Sequence, residues 1–578
     1  MEKSERFRKI SNFISFIAII PVVLMLKKAG DGILYYDGIA VSENIHNIYI
    51  KFLPIGLAVL LIAAILFKTK IGKVAYHIAV FILFGTLLSW TYMYNIMDVD
   101  NYTFEAFQHD SEILVTKGLE REAEGFSLLE DDNSSYGLRS TDANLGIVGE
   151  DNIGNPEPPR WKNGYSTLKC GMVVKNTEEM REIAIPGAYM RNVHAPYTVS
   201  DVQMDDDYIY IYFDSDIILT EEYEGPAKGA EFLRYIAAYK SQYGLQGKVF
   251  RKYAENFDTL EDASVNMRFI NSSMMAAVVM LIVIMIYHKY DIMMAGSFYI
   301  TFLLSQWVTN FARNLYWVEF MWFIPMAIGI FCSLYSEKRI ARVISYIGAF
   351  LSILIKSLCG YEYLSTVMMG LIAFLMADIV SSVTHKDKEK TILLMKTTIN
   401  IGIFALAGFV VAICMHADLR GGGNIAEGIK IIIEQDVMRR THSVDVSAFS
   451  EDTQISLQST VKEVVERYFE FETPVILGIE SDRFSFIYKI ALLLGVAGIA
   501  AKRRRVDDIV LYFVFLLSTL SWYVLAKAHS YVHPHMNYVL WYFGFIQICI
   551  YLIVSAIPNV IIYHQHKKKN NNSATVKQ

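Results

Sequence analysis

The stretch Lys527-Ala-His529-Ser-Tyr531-Val-His533-Pro-His535-Met-Asn537 sets three histidines within seven residues, between two long apolar runs. Polar and ionisable groups where a chain leaves and re-enters a membrane are costly unless solvated, paired or ligated, so they are candidates for function. If the segment is helical, His529 and His533 share a face at i, i+4, a spacing common among metal ligands. Pro534 argues against an unbroken helix beyond His533 and aims His535 elsewhere. Three readings stay open: a divalent metal site borrowing Asp31, Asp37 or Glu362, contact with phosphate or substrate, or a hydrogen-bonded structural belt.

Other residues could join this chemistry. Asp31 in Gly30-Asp31-Gly32 and Asp37 in Tyr36-Asp37-Gly38 are candidate general bases, although acids beside glycines are also ordinary turn residues. Arg313, Arg420, Arg439, Arg440, Lys527 and the histidines could meet a phosphate, since guanidinium forks fit its oxygens. Tyr316 and Trp317 offer faces to a sugar ring or belong to the interfacial aromatic belt. Glu362, between tyrosines in a very short turn, wants a partner if buried. Gly421-Gly422-Gly423 reads best as a hinge.

What must position these groups is a membrane bundle. The 578 residues are 53% hydrophobic, with a mean hydropathy of +0.31. The apolar residues fall into runs of roughly 17–25, the length that crosses a bilayer core. About twelve transmembrane helices are expected, near 10–26, 49–67, 74–95, 269–288, 292–310, 318–335, 343–358, 363–382, 391–415, 484–501, 508–526 and 538–562. The first resembles a signal segment, but no small-residue cleavage site follows it, so a retained anchor is expected. Alternate connections are short and basic, for example Lys338 to Arg342, Lys386 to Lys390 and Lys502 to Arg505. The positive-inside rule makes them cytoplasmic, with both termini. Asp378, Lys396 and Lys489 then lie near cytoplasmic ends and snorkel.

The organisation expected is 1–95, three helices with the first outer loop; 96–268, an extracytoplasmic α+β domain inserted into the predominantly α-helical bundle; 269–415, six helices; 416–483, an outer loop; 484–562, three helices; and 563–578, a cytoplasmic tail. Strands are expected at Gly171 to Lys175 and Asp207 to Asp214. A helix is expected within 229–257, with Phe232, Tyr235, Ile236, Tyr239 and Tyr243 on one face. Asp205 to Asp207 lack calcium-loop spacing and read as a solvated turn. Cys170 alone in the outer domain cannot close an internal disulfide, which fits a bacterial plasma-membrane protein. Phosphate-loop, dinucleotide, zinc-protease and nucleophile-elbow motifs are absent, and the cytoplasmic loops are too short for a catalytic domain.

Many spans, a carboxylate-bearing loop just after the first, a soluble outer insertion and basic residues at later outer turns make the layout similar to the GT-C class of polytopic membrane glycosyltransferases. That resemblance implies transfer of a sugar from a polyprenyl-phosphate carrier to an envelope glycan or lipid acceptor, with Asp31 or Asp37 as base. The first loop carries these acids singly rather than as an adjacent pair. Two other classes fit the same bundle: a secondary transporter or flippase of a lipid-linked or envelope sugar, and a non-enzymatic sensor or scaffold. Nucleic acid is not an expected partner, because topology accounts for the basic runs.

Overall fold

The computed structural model describes residues 70–95, 111–123, 135–139, 238–437, 451–476, 484–501 and 504–556, with shorter stretches between 35 and 236 and at 479–482. The expected spans at 10–26 and 49–67, Asp31, Asp37, Arg439, Arg440 and the tail 563–578 lie outside the described residues. Besides four short helices at Glu178–Ile183, Ile425–Ile431, Glu451–Gln458 and Pro534–Asn537, the described helices in chain order are α1 (Lys70–Tyr94), α2 (Ile113–Ala123), α3 (Leu245–Ala254), α4 (Leu260–Lys289), α5 (Ile292–Leu304), α6 (Gln306–Ala312) and α7 (Phe320–Leu334). They continue with α8 (Arg339–Cys359), α9 (Leu364–Thr384), α10 (Lys388–Arg420), α11 (Val461–Glu470), α12 (Phe484–Ala500), α13 (Val506–Leu525), α14 (Lys527–Val532) and α15 (Phe545–Val554).

Every expected span from residue 74 onward coincides with a helix or a bent pair of helices. Six are long and apolar enough to cross a membrane, and eight if each bent pair is one span. The protein is thus a polytopic helical membrane protein, but the count of twelve is not reached among the described residues. α7 and α12, at 15 and 17 residues, are apolar but short. The bent pairs are α5 with α6, turned by 67°, and Pro534–Tyr542 with α15, turned by 49°. At the first break Ser305 ends α5 and caps α6, its Oγ accepting from Val308 N at 3.3 Å. Elsewhere Asp291 and Asp387 cap α5 and α10.

Contacts define the two ends of the bundle. At one end Lys289 pairs with Asp378 at 2.6 Å, Lys390 meets Glu337, Arg505 lies over Tyr290, and Arg504 donates to Leu552 O. Asp378 therefore does not snorkel: Lys289 and Ser333 Oγ hold it, because a carboxylate in apolar surroundings is tolerable only with partners. The connections at 313–319, 360–363, 471–476 and 526–537 gather at the opposite end. Close packing between spans relies on small residues. A Cβ on Gly329 of α7 would stand 1.9 Å from Leu371 O of α9.

Beside the bundle, a five-stranded antiparallel sheet runs in the order Ile147–Val148, Gly171–Lys175, Tyr208–Phe213, Pro196–Met204, Tyr189–Arg191. The two strands expected from alternation pair with each other. The helix expected within 229–257 begins only at Leu245. Before it, Tyr235–Ile236 pairs with Ser127–Leu128 and Ala238 bridges Arg139, which holds the chain extended. Gly244, at φ 72°, then turns the chain into α3. Its neighbourhood is backbone against backbone: a Cβ on Gly137 would fall 1.7 Å from Gly244 O, and one on Gly247 would fall 2.2 Å from Gly137 O.

Candidate functional site

Two short turns and one extramembrane segment build the site. The first turn, 313–319, joins α6 to α7. Asn314 shapes it, its Oδ1 accepting from Tyr316 N at 2.9 Å and Trp317 N at 3.2 Å, an Asx turn. Val318 pays for the tight reversal with φ 41°. Asn271 of α4 donates to Asn314 O at 3.0 Å. Glu112, fully buried, accepts from Leu315 N at 3.2 Å and from both Arg268 Nε and Nη2 at 3.1 Å. A bidentate pair of that kind fixes orientation as well as charge.

The second turn, 360–363, joins α8 to α9. Lys356, 2% exposed in the last turn of α8, donates to Gly360 O at 2.7 Å and to Glu362 O. Tyr363, at φ 61°, closes the reversal. The third element is the entry to α3. Gln242 Nε2 donates to Tyr316 Oη at 2.6 Å and to Glu362 Oε1 at 2.7 Å. Gln246 Nε2 donates to Tyr316 O and Cys359 O, both at 2.9 Å. Two amides four residues apart thus clamp the two turns together.

Between the turns lies a small cavity walled by Tyr316, Trp317, Trp322, Lys356, Gly360 and Glu362. It has room for roughly one water molecule. Glu362 Oε1 is engaged by Gln242, while Oε2 makes no hydrogen bond and sits against Gly360, where a Cβ would come within 2.4 Å of it. Behind the cavity Trp317 and Tyr363 stack at 6.0 Å, Trp322 meets Tyr363 edge-on at 5.0 Å, and Trp522 meets Tyr363 at 5.5 Å.

Of the expected site residues, Tyr316, Trp317 and Glu362 come together at this cavity. Arg313 shares the first turn but does not line it: fully buried, it donates to Met93 O at 3.3 Å and lies over Phe104. Arg420 ends α10, partly exposed. The histidine segment stands apart as a packing platform. Lys527 donates to Leu457 O at 3.0 Å, His529 Nδ1 contacts Asn537 Nδ2 at 3.4 Å, and Tyr468 of α11 donates to Ser530 O at 2.8 Å. Glu362 and the histidines, expected to join in one chemistry, therefore form two clusters, linked through the aromatic contacts of Tyr363, Trp522, Tyr523 and Tyr468.

The break at Pro534 is present, and the rings of His529, His533 and His535 still neighbour one another, at 4.7 and 5.3 Å. Among the described residues no group of three or more His, Cys, Asp or Glu could hold a metal ion. Among the described residues His529 and His533 thus gain no third ligand, Glu362 included; Asp31 and Asp37 lie outside them.

Sequence reasoning missed Lys356, Gln242, Gln246 and Glu112. Lys356 carried a usable signal, a cation inside an apolar run only a few residues from its polar end. It also missed Glu319, fully buried, with neither carboxylate oxygen hydrogen-bonded. Arg313, nearby in the same turn, makes no ion pair with it.

Comparison with protein-family models, curated proteins and solved structures finds no match. Function must be read from the site itself.

Proposed function

We propose that the chain is a polytopic membrane glycosyltransferase. It would move a sugar from a polyprenyl-phosphate carrier to an envelope glycan or lipid acceptor. The supporting observation is the meeting of Trp317, Trp322, Lys356 and Glu362 at one cavity. A carboxylate with an unused oxygen suits removal of a hydroxyl proton, and a lysine beside it suits holding the hydroxyl oxygen. Basic connections gather at the other end, which by the positive-inside rule favours an extracytoplasmic cavity. On this reading the termini are cytoplasmic, residues 96–268 form an outer domain of a bacterial plasma-membrane protein, and the spans number twelve. Asp31 and Asp37 remain candidates for the base, and Arg420, Arg439 and Arg440 for phosphate contact.

Purified protein in lipid nanodiscs, supplied with labelled polyprenyl-phosphate sugars and envelope acceptors, should release free carrier. Full transfer by an Asp31→Asn/Asp37→Asn variant would remove those two residues from the mechanism. One feature favours transport as a second reading. A span broken by 67°, followed by a buried carboxyl at Glu319, is a combination that transporters use. Solute uptake into sealed proteoliposomes, with every donor left intact, would replace the transferase reading by that one.

A further inference from the structure

The cavity is small, and its wall is unusual in bearing both signs of charge. Lys356 spends two of its three N–H donors on Gly360 O and Glu362 O, leaving one. Glu362 spends Oε1 on Gln242 and leaves Oε2. No ion pair joins the Lys356 ammonium to the Glu362 carboxylate, so each keeps some bonding capacity at the cavity wall. A phosphate there would be repelled by Glu362, and a metal cation by Lys356. A group that donates and accepts at once satisfies both, and the available space fits one oxygen atom.

We propose that this cavity is a single-hydroxyl site, holding a water at rest and a hydroxyl of the sugar acceptor during transfer. This rests on the transferase reading. The acceptor O–H gives its proton to Glu362 Oε2 as its oxygen bonds to the anomeric carbon. The bond from that carbon to the phosphate oxygen breaks, and the phosphate leaves on the polyprenyl carrier with the electron pair. Lys356 orients the hydroxyl oxygen, the sugar ring stays outside a void that admits one oxygen, and the phosphate binds elsewhere. Gln242 is a positioning residue, fixing the carboxylate through Oε1.

The test is binding of free neutral sugars and of inorganic phosphate to the full-length protein, read by tryptophan fluorescence, alongside donor cleavage. A neutral sugar should bind without competition from phosphate. Glu362→Gln and Gly360→Ala should weaken it about tenfold or more while the protein stays folded. The Gly360 variant acts by displacing the Glu362 carboxylate, the flexible end of the crowded pair. In transfer assays Glu362→Gln should lose donor cleavage. Sugar binding that responds to these variants, with no donor cleaved, would leave the hydroxyl site standing and remove the transferase reading. Competition by phosphate, no sugar binding at all, or unchanged affinity in both variants would overturn the hydroxyl site.

Discussion

The turn at 360–363 and the segment at 527–537 invite comparison. Both are short connections at the same end of the bundle, and both carry ionisable residues. They differ in what lies beside their polar groups. Around His529 the polar groups pack α11 and its neighbours: Lys527 holds Leu457, Ser530 O receives Tyr468, and the histidine rings lie against one another, while Ser530 Oγ, His533 Nδ1 and Asn537 Oδ1 are buried in that packing without a hydrogen bond. Around Glu362 the network is as dense, yet one carboxylate oxygen and one ammonium hydrogen are left over on two residues that line a void. Residue type flags both regions, and both hold unspent polar atoms; the void beside Lys356 and Glu362 is what marks that turn as a site.

The largest expected effect that would sharpen this contrast is at Glu112. Glu112→Gln leaves Arg268 with a weakened partner and loosens Leu315 N, and should cost on the order of 3 kcal/mol. Thermal unfolding in detergent measures it, and a variant as stable as the parent would mean that the first turn is not held this way. Lys356→Met should follow at about 2 kcal/mol, because two buried carbonyls lose their donor. It should also abolish sugar-dependent fluorescence change, which Tyr468→Phe, on the scaffold side, should leave intact.

Glu319→Gln should change stability by about 1 kcal/mol or less, because neither carboxylate oxygen makes a hydrogen bond that could be lost. The same unfolding measurement checks it, and a larger loss would show that the carboxyl holds a partner. Smallest of all, His529→Ala/His533→Ala should change unfolding by less than about 1 kcal/mol. It should leave bound metal content unaltered, and a lower zinc or manganese content would restore the histidines as ligands.

Much of the bundle was legible because hydropathy is a local property: apolar runs from residue 74 onward mark where helices lie, and alternation marks the paired strands at 171–175 and 208–213. Tyr316, Trp317 and Glu362 were legible as polar or aromatic residues in turns too short to hide them. Lys356 was not, since averaging over an apolar run erases one cation. Gln242 and Gln246 were not, because their partners lie far along the chain and an amide carries no charge to betray them. The merging of the two clusters failed for a different reason. Loops at one end of a bundle look adjacent in sequence logic, whereas Tyr363, Trp522, Tyr523 and Tyr468 fill the space between them.

The glutamine clamp also sets an order of events during synthesis. Gln242 waits for Tyr316, 74 residues later, and for Glu362, 120 residues later. By then α4 to α8 have left the ribosome, and the backbone seam at Gly137, Gly244 and Gly247 can already have formed. A nascent chain halted before α8 therefore carries the clamp with Tyr316 alone to grip. The cavity comes into being late, when the membrane part of the protein is already well advanced.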